Sequence, residues 1–354
     1  MIQYLQRIIL VFYSLAYFSS WRIDGFQVQK GKVVSTSKIF LGSTIKSVKI
    51  DPRNINKEII RFFSYQSLND SDFRSFQYYI QQRKLYLNQV NIITLLHRCG
   101  KKKLDIFSII DIDSVVHGMM SAKASAQGIS NAFYGIQHMN SESKEIPEIL
   151  NALRQQLQNN NDFFDVQSIS GILYGLRKFN CDSPHVREIL ISLNEKLTMY
   201  NDSKYMKIVS YQQVESQSIG MALYGLQGMT TNEFEVTQIL DNIANFILPK
   251  LSALDPQALA NSLEGLKGCC SEHESTRKIL NGIAQKLLDQ PKSLHNITSK
   301  EVSMTLHGLQ SMSSDHDEVR TFLSALCEVL ERSNWLGKVR LVRIAGSLEP
   351  HTRI

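Results

Sequence analysis

Glutamine stands at Gln127, Gln167, Gln217 and Gln257, and tyrosine follows the first three of them seven residues later, at Tyr134, Tyr174 and Tyr224. An amide both donates and accepts hydrogen bonds, and a phenol ring offers a flat apolar face with a polar tip. Neither is a ready acid, base or nucleophile at neutral pH, so the chemistry of these rows is recognition. Amides can read the edges of a ligand, and rings can stack on it. On a helix, positions i, i+4, i+7 and i+11 share one side. Counted from each glutamine, that side reads Gln127, Asn131, Tyr134, His138, then Gln167, Gly171, Tyr174, Lys178. It continues as Gln217, Met221, Tyr224, Gly228, then Gln257, Asn261, Glu264, Gly268, and in a weaker fifth copy as Lys300, Met304, His307, Ser311.

Residue patterns for catalysis do not occur. The chain has no Walker loop, no H-E-x-x-H and no G-x-S-x-G. The G-x-x-G letters at Gly225–Gly228 and Gly265–Gly268 fall at repeat-helix ends and read as helix termination, not as a nucleic-acid clamp. The run Ser314-Asp315-His316-Asp317-Glu318 reads as a capped, solvated turn. The five cysteines form no C-x-x-C pair, and the nine histidines do not gather with carboxylates. Reduced thiols are expected, with no disulfide framework, metal or cofactor. The chain reads as a non-enzyme.

A repeat positions the rows. QGISNAFYGIQHM, QSISGILYGLRKF, QSIGMALYGLQGM, QALANSLEGLKGC and KEVSMTLHGLQSM align on Gly135, Gly175, Gly225, Gly265 and Gly308, at intervals of 40, 50, 40 and 43 residues. Periods in that range mark helical hairpins stacked in one dimension. In the first unit, helix A is expected over 127–139, with Ile129, Ala132, Phe133, Ile136 and Met139 as its apolar stripe. Helix B is expected over 146–157, with Ile146, Ile149, Leu150, Leu153 and Leu157 inward. The long interval is absorbed by a polar insertion from Thr198 to Gln213. The fold class expected is all-α, a right-handed α-solenoid of about five hairpins, without sheet, preceded by an irregular helical N-terminal cap. The cap covers 51–126 and holds a degenerate unit from Ile92 in which His97 takes the glycine position; the array covers 127–335 and a basic tail 336–354. Ile136, Leu176, Leu226, Leu266 and Leu309 are expected inside.

The repeated glycine falls on the flank of the apolar stripe, where one A helix meets the next. Glycine costs a helix about 1 kcal/mol against alanine, so five occurrences at one position point to a close backbone approach. The rows of Gln and Tyr are then expected about one helix diameter apart, about 10 Å.

Charge separates the two ends of the chain. Residues 1–126 hold 18 Lys/Arg against 8 Asp/Glu, and residues 127–354 hold 21 against 25. A basic opening therefore hides a mildly acidic array, which speaks against a binder driven by phosphate neutralisation alone. The opening itself reads as an address. Residues 1–24 carry Arg7 and an apolar run from Ile8 to about Phe18, the pattern of a signal core. Residues 25–50 begin with Gly25-Phe26 and hold five lysines and no acid, the composition of a transit segment. Such a bipartite leader implies a plastid, with a mitochondrion as the alternative and no membrane attachment once the leader is removed. A reporter fused to residues 1–50 is expected to reach an organelle and to be misrouted by Phe26→Ala; secretion, or indifference to that change, would reject the leader.

The cores NAFYGIQ, GILYGLR, MALYGLQ and NSLEGLK, with the regular last unit GLQSMSSDHDEVRTFLSAL, resemble the octotricopeptide-type repeats of organellar RNA-binding proteins and the related arrays of FAST-kinase-like and RAP-domain proteins. The resemblance covers about residues 127–330. It implies single-stranded RNA as ligand, a role in transcript stability, processing or translation, and other organellar proteins as companions. No RAP-like domain is expected, because the chain ends about 24 residues after the last B helix. In that reading Tyr134, Tyr174 and Tyr224 stack bases, and Gln127, Asn131, Gln167, Gln217, Gln257 and Asn261 read edges. His138, Lys178, Lys300 and His307 complete the RNA-binding set. The alternative is a protein–protein interaction scaffold. The charge of the A-helix face separates the two: a positive strip favours RNA, an apolar or acidic groove favours protein.

Overall fold

The computed structural model describes residues 50–65, 69–201, 213–251, 253–290 and 294–332. The leader segments up to residue 49, the tail 336–354 and most of the Thr198–Gln213 insertion lie outside the described residues.

Among the described residues the fold is all-helical, with fourteen α-helices and no strand. They are α1 (Pro52–Ser64), α2 (Asp70–Gln81), α3 (Gln89–Lys102), α4 (Ile112–Met120), α5 (Ala126–Ile136), α6 (Ile146–Gln158) and α7 (Val166–Gly175). The rest are α8 (Pro184–Thr198), α9 (Ser216–Tyr224), α10 (Phe234–Asn242), α11 (Pro256–Gly265), α12 (Glu274–Asp289), α13 (Ser299–His307) and α14 (Asp317–Arg332). Packing follows chain order. The A helices α1, α3, α5, α7, α9, α11 and α13 each lie against the next, and so do the B helices α4, α6, α8, α10, α12 and α14.

The same packing continues upstream of the first repeated glycine. Residues 51–126 hold four α-helices, of which α1 and α3 continue the row of A helices and α4 the row of B helices. Phe62 of α1 stacks on Phe76 of α2 with ring centroids 3.9 Å apart, and the Gln77 and Gln81 side chains donate to the carbonyls of Ser108 and Ile109, at 2.7 Å each, just before α4.

Each repeated glycine meets backbone. A Cβ on Gly225 would lie 2.2 Å from the carbonyl oxygen of Leu173, and one on Gly265 would lie 2.0 Å from that of Leu223. Gly225 has φ −60°, an ordinary helical value, so glycine is needed for the approach and not for a backbone conformation. Each of these glycines from Gly175 onward faces the residue two before the previous unit's glycine. Gly135 faces Leu96, which puts Arg98, not His97, at the glycine position of α3. His97 falls in the tyrosine row instead.

The A helices are shorter than the motif. The glycine lies in the last turn or just after it: α7 and α11 stop at Gly175 and Gly265, while Gly225 and Gly308 follow the ends of α9 and α13. Tighter turns carry the chain onward, with Leu226 N–H donating to Leu223 at 2.9 Å and Met229 N–H to Leu226 at 2.8 Å. Ile136, Leu176, Leu226 and Leu266 are fully buried. Leu309 is only partly buried, because the last pair has no following unit over it among the described residues. The unit after the insertion is the least regular: α10 runs into a π-turn over Ile243–Ile247, and an isolated bridge joins Val214 to Leu251.

Candidate ligand-binding groove

Each A helix from α5 to α13 begins with a cap that sits ten residues before the repeat glycine: Ser125, Asp165, Glu215, Asp255 and Thr298. A helix start leaves backbone N–H groups without partners, and a side-chain oxygen at the cap satisfies one. Asp165 Oδ1 accepts from Ser168 N–H at 2.7 Å and Asp255 Oδ1 from Ala258 N–H at 2.8 Å. Glu215 makes no such bond to α9. Neighbouring helix starts are tied together, since Ser216 Oγ accepts the Asp255 N–H at 2.8 Å.

Two residues into α5, α7, α9 and α11 stand Gln127, Gln167, Gln217 and Gln257. All four are exposed, and no side chain of the four makes a hydrogen bond among the described residues. A packing role, bonding the neighbouring repeat's backbone, therefore does not account for the row. These residues line one side of a groove of about 660 Å³ that crosses the A helices from α3 to α11, together with Asn131, Asn261, Tyr134 and Tyr174.

The tyrosines behave differently. Tyr134 and Tyr174 pair with ring centroids 5.7 Å apart and planes 18° apart; Tyr174 and Tyr224 lie 6.1 Å and 31° apart. His97 joins the same column, 5.5 Å from Tyr134. These separations are those of aromatic rings already packed on each other. The rings are half-buried, and the Arg177 guanidinium covers Tyr174 at 4.5 Å while bonding its hydroxyl. The rings on this face thus stand near 6 Å apart, closer than the roughly 10 Å between the axes of ordinary packed helices, while the repeated glycines let the helices approach backbone to backbone. Beyond Tyr224 the column continues as polar side chains: His307 Nδ1 lies 2.8 Å from Glu264 Oε2, and Lys267 Nζ lies 3.3 Å from the other carboxylate oxygen.

Eight of the thirteen residues expected to bind therefore line the groove: Gln127, Asn131, Tyr134, Gln167, Tyr174, Gln217, Gln257 and Asn261. Tyr224, His138, Lys178, Lys300 and His307 do not. His138 packs on Arg177 at the other end of the helices, 3.3 Å from its guanidinium, and Lys178 is exposed beside it.

The charge of the groove comes chiefly from the caps. Asp165, Glu215 and Asp255 line it, against a single ammonium, Lys101, and one imidazole, His97. Burial, with Lys101 and Arg98 nearby, lowers the His97 pKa to about 4, so that ring is neutral at pH 7. Burial beside Arg177, Lys178 and Lys103 lowers His138 as well. The groove is acidic, and the basic side chains Lys102, Lys103, Arg177 and Lys178 lie outside it, at and just beyond the C-terminal ends of α3 and α7.

Among the described residues no group of three or more His, Cys, Asp or Glu side chains is placed to hold a metal ion, and no helix is long and apolar enough to cross a membrane. The five cysteines are unbridged. No family model matches the chain, and no curated protein or solved structure matches it.

Proposed function

We propose that the chain is a non-catalytic binding protein, a right-handed α-solenoid whose groove takes an extended segment of another polypeptide. The observation that carries this reading is the pairing of an unpartnered glutamine row with an acidic cap row along one groove. Amides left without partners on four consecutive units supply donors and acceptors for a ligand's main chain. Carboxylates beside them repel a phosphate backbone and attract a cationic segment.

A second reading is favoured by the basic ends of α3 and α7 and by the resemblance of the repeats to organellar RNA binders. Single-stranded RNA would then run its backbone along Lys101–Lys103, Arg177 and Lys178, with bases toward the glutamines. So few cations neutralise few phosphates, and log affinity against log salt should fall with a slope of only about −1 to −3. Titrating the full chain at low salt with a mixed-sequence single-stranded RNA and with a lysine-containing peptide separates the two. Peptide binding that RNA cannot displace supports the scaffold. RNA binding without peptide binding replaces it with the second reading.

A further inference from the structure

Within the scaffold reading, on which this inference rests, the A-helix face does not stop at the groove. Contacts between neighbouring A helices keep one register. Gly225 meets Leu173 and Gly265 meets Leu223, so each residue faces the one two places earlier in the preceding unit's count. The same offset links α3 to α1. The side chain of Asn91, seven residues before Arg98, donates to the Pro52 carbonyl at 2.9 Å. Pro52 therefore stands nine residues before the glycine position of α1, which is Arg61. The helix starts agree: Asn88 caps α3 ten residues before Arg98, and Asp51 caps α1 ten residues before Arg61. In this register Arg53, Lys57 and Ile60 of α1 share the glutamine side, and all three are exposed. On α3 that side reads Val90, Thr94, His97 and Lys101.

Charge along the face changes sign. At its start stand Arg53, Lys57 and Lys101, against the one carboxylate of Asp51. None of the three cationic side chains has an ion pair or a hydrogen bond among the described residues. Val90, Thr94, Gln127 and Asn131 follow, all uncharged. Then come Asp165, Glu215 and Asp255 on α7, α9 and α11, equally without an ion pair among the described residues. Lys178 lies outside the groove, and Lys300 follows only on α13. Two groups between the charged ends await partners. Ser130 and Ser168 line the groove, are 7% and 5% exposed, and neither hydroxyl has a hydrogen-bond partner among the described residues. A buried hydroxyl left this way is costly unless a ligand or water completes it.

We infer that the ligand is an extended segment with its charges segregated: an acidic stretch against Arg53, Lys57 and Lys101, an uncharged stretch, and a cationic stretch against Asp165, Glu215 and Asp255. A purely cationic segment satisfies only the acidic end and is repelled along α1 and α3. Opposite charges at the two ends also fix which way round the segment lies. The six A helices from α1 to α11, at about 8–10 Å per step, span about 40–50 Å. About 12–15 residues of extended chain cover that length.

The test uses the full chain and fluorescent sixteen-residue peptides built on threonine. One carries four glutamates at one end and four lysines at the other, and is made in both chain directions. A mixed isomer intersperses the same charges, and a third peptide keeps the four terminal lysines without glutamate. The better direction of the segregated peptide is expected to bind at least tenfold more tightly than the mixed isomer and than the lysine-only peptide. The combined change Arg53→Glu and Lys57→Glu is expected to remove that advantage while lysine-only binding persists. Both side chains are exposed and unbonded among the described residues, so the helical fold, checked by circular dichroism, should be unchanged. Equal affinity with and without the glutamates, unaffected by the reversal, would overturn the segregation and leave the scaffold standing. Failure of every peptide alongside RNA binding that weakens in the reversed variant would overturn the inference and the scaffold together.

Discussion

Gly225→Leu is expected to destabilise the array by at least about 3 kcal/mol, at or above the upper end of overpacking costs. The reason is geometric. Even the first carbon of a side chain there would sit 2.2 Å from the Leu173 carbonyl oxygen and 2.8 Å from the Tyr174 nitrogen, both backbone atoms that no rotamer change can move. The α7–α9 contact would have to open, and with it the Tyr174–Tyr224 pair. Gly282 on α12 supplies the control: its Cβ would meet only the Leu248 side chain, at 2.2 Å. Leu248 can turn away, and the helix gains up to about 1 kcal/mol of propensity. Gly282→Ala should therefore change stability by no more than about 1 kcal/mol. Urea unfolding of both variants checks the pair, and a Gly225→Leu midpoint equal to the parent would remove the close-packing explanation.

Gln156→Leu is the second large effect, expected to cost about 3–5 kcal/mol. Gln156 on α6 is 5% exposed. Its Oε1 accepts from Ala124 N–H at 2.9 Å, and its Nε2 donates to the carbonyls of Met119 and Ala122 at 2.9 and 3.0 Å. One side chain thus makes three bonds to the link between α4 and α5 and the helix end before it, beside the single bond of Asn160 to the Ala124 carbonyl. Leucine fills a similar volume and leaves three backbone groups unmet, each costing about 1–3 kcal/mol when buried. Thermal unfolding measures the loss. A melting temperature unchanged by the substitution would show that water takes over these bonds and that the link is not held by Gln156.

These two residues mark what the sequence shows and what it conceals. Gly225 was visible because packing imposes it five times at one position, and the depth of helical period in the apolar stripe put Ile136, Leu176, Leu226 and Leu266 inside. Gln156 lies in the polar run RQQLQNNND, where nothing distinguishes a buried hub from a solvated face. The unit from Ile92 was legible only as a degenerate one because α3 uses Arg98 where later units use glycine; its own Gly100 meets Gly135 instead. That shift also moved His97 into the ring column. The Gln and Tyr rows were legible as periodic sides of helices, but the distance between rows was not. A helical wheel gives the side a residue takes but not what its side chain meets, and here the tyrosines of neighbouring helices pair with each other. The acidic caps stood in plain view ten residues before Gly175, Gly225 and Gly265, yet they read only as helix starts until the groove brought them together.

The most direct test of a polypeptide-binding groove places a photo-crosslinking amino acid at Gln217 in the full chain, expressed in its own cells, with Gln158 on the exposed side of α6 as control. Position 217 is expected to yield an adduct that protease removes and ribonuclease does not, absent at 158 and lost when Asp165, Glu215 and Asp255 are neutralised. An adduct at 217 that carries RNA, or one unaffected by neutralising the caps, would contradict it.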